Sequence, residues 1–159
     1  MIRRSFLISA ASLVLLPSAS RAADTVGGRF VGNGKEAQLG FISAYRCKGM
    51  TSNEGVVIVM TEKNHAGLKN PDADTLSGKF GSGLAISLDR SDGFMFRCHV
   101  VHQALSGKAM VLGIVLAEGV SFDGGRVKAR FFTRGTARLM DEPFEVDIQV
   151  DAAIRPRLA

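Results

Sequence analysis

The sequence predicts an all-β protein, a single-domain antiparallel β-sandwich or closed β-barrel of about eight strands, preceded by a cleaved signal peptide. Apolar residues recur at every second position through most of the chain, which is the period of a strand with one buried face. Gly-rich or Asn/Asp-Gly turns separate these runs at short intervals, and no stretch beyond the first twenty-two residues sustains a helical period.

The N-terminus reads as an address. Arg3 and Arg4 precede an apolar run from Phe6 to Leu16, Pro17 ends the run, and Ser20-Arg21-Ala22 offers small residues where a signal peptidase cuts. Residues 1–22 are therefore expected to be signal peptide, and residues 23–159 an exported domain starting at Ala23. The run from 6 to 16 is too short to span a bilayer, which takes about 20 residues, so no integral membrane segment is expected after cleavage. Arg3-Arg4-Ser5-Phe6-Leu7 resembles the core of a twin-arginine signal, whereas the short leader before the arginines favours general secretion. Either route delivers a periplasmic or secreted protein. Arg3, Arg4 and Arg21 leave with the signal, so the formal charge falls from +5 to 5 − 3 = +2. A charge that small, with no basic run, gives nucleic acid or an acidic membrane little to bind.

Gly28 to Val31 and Ala37 to Tyr45 form the first expected pair, turning at Asn33-Gly34. Val56 to Thr61 is almost continuously apolar, as is Ala109 to Leu116, and each is expected to be covered on both faces or to lie centrally. Around Ser91-Asp92-Gly93, a three-residue loop with Gly93 left-handed would set Leu88 opposite Phe96 and Ile86 opposite Cys98. The clearest strand runs from Phe144 to Ala152. There Phe144, Val146, Ile148 and Val150 alternate with charged or polar residues. Its expected partner is Arg126 to Thr133, with Phe131 opposite Val146, Ala129 opposite Ile148 and Val127 opposite Val150. That register also sets Arg130 against Asp147 and Arg126 against Asp151.

Cys47 and Cys98 are the two cysteines, and in an oxidising compartment an even count makes a disulfide between them the expectation. Gly32-Asn33-Gly34-Lys35-Glu36-Ala37 has the spacing of a dinucleotide-binding turn. It runs on at period two through Leu39, Phe41, Ser43 and Tyr45, so the helix needed to meet a pyrophosphate is missing. Gly78-Lys79 and Gly107-Lys108 lack the remainder of a phosphate loop, and Gly81-Ser82-Gly83 lacks the spacing of a nucleophile elbow.

Function is thus approached by elimination. The expected activity is that of an exported, non-catalytic binding protein, without cofactor, for a protein or polar small-molecule partner. The segment from Lys63 to Gly83 is long, polar and Gly-rich, with Asn70-Pro71-Asp72 as a turn or helix start, and long loops of this kind often carry function. Lys63, His65, Lys69 and Lys79 are its candidate ligand-contacting residues. One alternative is a periplasmic copper or zinc protein using His65, His99 and His102 with nearby methionines, although His99 and His102 differ in strand parity. A second is a hydrolase whose catalytic residues are dispersed in sequence and meet only in space.

Overall fold

In the computed structural model residues 22–157 are described, so residues 1–21 of the expected signal peptide lie outside the described residues. The described residues form an all-β domain with one short α-helix and a 3-10 turn at Asp123–Gly125. Its strands are β1 Thr25–Gly32, β2 Lys35–Ala37, β3 Phe41–Cys47, β4 Gly55–Thr61, β5 Gly83–Asp89, β6 Met95–Val101, β7 Ala109–Met110, β8 Val115–Ser121, β9 Arg126–Thr133, β10 Ala137–Leu139 and β11 Glu142–Arg155. The helix, α1, is Pro71–Leu76 and begins at the expected Asn70-Pro71 signal, with proline where its missing N–H costs nothing. Among the described residues, no helix is long and apolar enough to cross a membrane.

All the strands join one hydrogen-bonded network that does not close on itself. β11 is its spine. The first part of β11 lies between β1 and β9, both antiparallel to it, and β8 extends that half beyond β9. The last residues of β11 then pair in parallel with β3, at Ile154–Ala44 and Arg155–Tyr45. From β3 the antiparallel order continues through β4, β5, β6 and β7. Both halves feed a single core, in which Phe30, Phe131, Val146 and Ile148 of the first meet Ile58, Met60, Ile86 and Val100 of the second.

The face assignments hold and several registers do not. Val127, Ala129 and Phe131 are buried together with Val146, Ile148 and Val150, as alternation requires. The partners, however, are displaced by two residues: Phe131 faces Ile148, Ala129 faces Val150 and Val127 faces Ala152. The displacement comes from the turn. Met140 and Asp141 take left-handed φ values of 47° and 67°, closing a two-residue hairpin between β10 and β11, and residues 134–136 then loop out before β9 begins to pair. The expected ion pairs survive as diagonal ones, with Arg130 Nε 2.7 Å from Asp147 and Arg126 Nε 2.6 Å from Asp151.

In the β5–β6 hairpin, Ile86 does face Cys98 and Gly93 is left-handed, but a bulge makes Leu88 face Met95 and not Phe96. Met95 therefore packs on the core and Phe94 points to solvent. The Asn33-Gly34 turn forms as expected, but pairing across it ends at Phe30–Ala37, and β3 turns away to the other half. Ala109 to Leu116 is not one covered strand. It divides into β7 and the start of β8, leaving Met110, Leu112 and Ile114 exposed.

The expected disulfide is absent: Cys47 and Cys98 are both free thiols. Cys47 lies on β3 and Cys98 on β6, with β4 and β5 between them, so about 14 Å of sheet separates them where a disulfide tolerates about 7 Å between Cα atoms. They also face opposite ways. Cys98 points into the shared core, where burial pushes its thiol up to about 12, and Cys47 packs beside Tyr45, Val57 and Val59 on the outer face.

Candidate functional site

Alternation leaves β3, β4 and β5 with a second apolar face, turned away from the core and carrying Ser43, Tyr45, Val57, Val59, Thr61 and Ala85, all buried. The segment from 62 to 82 covers it. Glu62 N–H and Lys63 N–H donate to the carbonyls of Ser82 and Phe80, drawing the two ends together, and α1 lies across β4, β5 and β6 with Pro71 and Thr75 buried beneath it. Gly83 permits this close approach, because a Cβ there would stand 2.9 Å from the Thr75 methyl. The segment expected to carry ligand-contacting residues lies over hydrophobic sheet. Lys63, Lys69 and Lys79 are exposed on it, with the Lys79 ammonium 5.6 Å from the Phe80 ring centre.

His65 is not an exposed contact residue. It is 2% exposed and pins the cover to the sheet, with Nδ1 2.5 Å from Thr61 Oγ1 and Nε2 3.0 Å from Ser43 Oγ. The Thr61 hydroxyl gives its proton to the Lys63 carbonyl at 2.8 Å, so it accepts from His65 Nδ1–H. Nε2 is then the unprotonated nitrogen and accepts from the Ser43 hydroxyl. Beside this relay opens a pocket of about 200 Å³, lined by Ser43, His65, Asn64, Phe41, Asp24 and Arg155 among others.

The sequence-predicted histidines do not converge. In the sheet, Ser43 lies in the same row as Val59, Ala85 and His99, so His65 above Ser43 is about three strand spacings, or roughly 14 Å, from His99. His102 is on the core side. Its ring stands edge-on to Phe30 at 4.8 Å, its Nδ1 accepts from Ala104 N–H at 3.1 Å, and its Nε2 is buried without a partner. Among the described residues, no three His, Cys, Asp or Glu side chains are grouped so as to hold a metal ion.

A larger concavity, about 940 Å³, lies on the outer face of the other half of the sheet, across β1, β11, β9 and β8. Its rows follow from the registers: Gly27, Gln149, Arg130 and Glu118 in one, and Thr25, Asp151, Lys128 and Ser121 in the next. Gly27, Gly28 and Gly119 contribute no side chain to its lining. Its charges are matched internally. Arg130 bridges Asp147 and Glu118, and Arg29 approaches Glu145 at 3.5 Å. The Arg130 guanidinium holds the Asp147 carboxyl below its usual range, and that of Arg126 does the same for Asp151.

Elsewhere, Asp89 is a saturated carboxylate with no exposed surface. Its two oxygens accept seven hydrogen bonds, from the backbone N–H groups of Met50, Thr51, Ser52 and Ser91 and the hydroxyls of Thr51, Ser52 and Ser91. These donors hold its carboxyl far below the ordinary range and anchor the 50–52 turn.

Burial lowers the pKa of all three histidines, aided at His65 by the Arg155 charge and at His99 by that of Arg97. A depressed folded-state value means that the unfolded chain binds protons first as pH falls. The stability contributed by these neutral imidazoles is complete well above 6.5, and it declines from there until pH passes their lowered folded values. Urea midpoints are accordingly expected to fall between pH 7.5 and 5.5, and to fall less steeply in His65→Gln. A flat profile across that interval would contradict the burial of these rings.

Sequence reasoning missed Ser43 and Thr61. Their only signal was a hydroxyl at a buried parity position in an otherwise apolar strand. It also missed the groove, which two alternating charged strands form only once β1 joins them. Searches for similarity place no neighbour beside these sites: no family model, no curated protein and no solved structure matches the chain.

Proposed function

We propose that the chain is an exported binding protein whose ligand face is the concave, charge-lined groove across β1, β11, β9 and β8. The volume and position of that groove carry the reading, because about 940 Å³ is the size of a small-molecule site and its walls lie on paired strands. In this reading the two halves of the sheet pack face to face as a sandwich, an arrangement favoured by the single core they share. Export is favoured by the apolar N-terminal run. A boundary at Ala23 is favoured by the small residues Ser20 and Ala22 that precede it.

Ligand class follows from charge. Lys128, Arg130, Asp147 and Asp151 are already paired across the groove, so a ligand of one sign gains attraction from some and repulsion from others. A zwitterionic or neutral polar small molecule, or a polar protein surface, exchanges these pairs without leaving a charge alone.

Gly27→Trp tests the site, because a Cβ at Gly27 meets nothing within 4 Å and the new side chain fills the groove without disturbing the fold. A panel of zwitterionic and neutral polar compounds is expected to include members that raise the melting temperature of the parent protein, a gain lost in Gly27→Trp. A panel without effect, or equal shifts in both proteins, would remove the groove from consideration.

A further inference from the structure

The cluster beneath the cover has the connectivity of a catalytic relay, and its place beside a pocket separates it from an ordinary buried polar network. A serine nucleophile needs a base within hydrogen-bond reach, and that base needs a third group to fix its tautomer. Ser43 Oγ lies 3.0 Å from His65 Nε2, and Thr61 Oγ1 holds Nδ1. Because the Thr61 proton is committed to the Lys63 carbonyl, Nε2 is the nitrogen that carries the lone pair. A neutral threonine orients the imidazole without offering a negative charge to stabilise the imidazolium, so this relay is weaker than one completed by a carboxylate.

The pocket supplies the other parts. The Oδ1 of Asn64 is engaged by the N–H of Ala66 at 2.9 Å, leaving its Nδ2 as a donor at the pocket wall. Arg155 lines the same pocket, held by Asp24, whose other carboxylate oxygen accepts from Ala153 N–H. Phe41 and Ala66 add apolar wall, and the small volume restricts the acyl part to a few heavy atoms.

We propose that Ser43 is the nucleophile of a short-chain ester hydrolase site, with His65 as general base, Thr61 as positioning residue, and Asn64 and Arg155 as donors to the oxyanion. Ser43 Oγ attacks the ester carbonyl carbon as its proton passes to His65 Nε2. The carbon–oxygen bond to the leaving alcohol then breaks, and that oxygen takes the proton from His65. Water repeats the sequence, adding to the acyl carbon as its proton passes to Nε2, and releases the acid as Ser43 Oγ regains a proton. Neither half changes oxidation state.

Full-length protein incubated with p-nitrophenyl acetate is expected to release a burst of p-nitrophenolate matching its own concentration and to carry one acetyl group, mapped to Ser43 by peptide mass spectrometry. Ser43→Ala should lose that adduct, and His65→Gln should slow its formation by at least about 100-fold. Thr61→Val should slow it too, and Thr61→Ser, which keeps the hydroxyl, should restore it. Acetylation spread over lysines, no adduct at all, or an unchanged burst in Ser43→Ala would overturn the assignment. Should His65→Gln fail to fold, the mapped site in the parent protein still decides. The groove on the other half of the sheet plays no part in this assay, so either proposal can fail without the other.

Discussion

Ile148→Asp is expected to cost roughly 4 kcal/mol or more, a large share of the stability of a domain this size. Ile148 is 1% exposed on β11, facing Gly28 of β1 on one side and Phe131 of β9 on the other, with its side chain in the core both halves share. A carboxylate there has no donor and no route to water. Gln149→Asp, one residue along and facing the groove opposite Arg130, should change stability by less than about 1 kcal/mol. Urea melts of the two variants check the face assignment directly, and a Gln149→Asp protein weaker than Ile148→Asp would reverse it.

Replacing Lys69–Ser77 by a short Gly-Ser bridge is the second large effect. Because α1 packs on the sheet, the segment is not dispensable for stability. The replacement removes α1, with its buried Pro71 and Thr75, from above β4, β5 and β6, and lets water reach apolar surface near Val59 and Ala85. Exposing two or three such side chains costs about 3–5 kcal/mol, a fall in melting temperature of roughly 10 °C or more. Calorimetry of the shortened chain checks this, and an unchanged melting temperature would mean that the outer face is stable in water.

What could be read from the sequence was whatever depends on parity. Val127, Ala129, Phe131, Val146, Ile148 and Val150 were placed inward correctly, because alternation alone decides a face. Register depends on the turn, and the β10–β11 turn is made by Met140 and Asp141, neither of them a glycine, so the sequence does not mark it. The cover was illegible for a related reason. His65, Pro71, Thr75 and Phe80 do most of the sealing, and so few buried residues leave no period behind. The unbroken apolar run of β4 did carry the message, since a strand buried on both sides needs something on each. Ser43 and His65, twenty-two positions apart, meet only because β3 lies beside β4 and the cover folds back from its end.

The position of β11 in the chain has a consequence for how the domain comes into being. The strand that β1, β3, β9 and β10 all pair with is the last of the described strands to be made, so a growing chain that has reached β10 holds the two flanks of a sheet without their centre. Thr25 waits for Asp151, and the loop closed by that pairing spans nearly the whole domain. Closure across so long a separation is slow, which leaves a newly made chain without its central pairing for an interval after synthesis. A chain truncated before residue 142 leaves four strands, β1, β3, β9 and β10, without the partner they share, and its defect would show as failure to fold, well before any question of what the protein binds or cleaves.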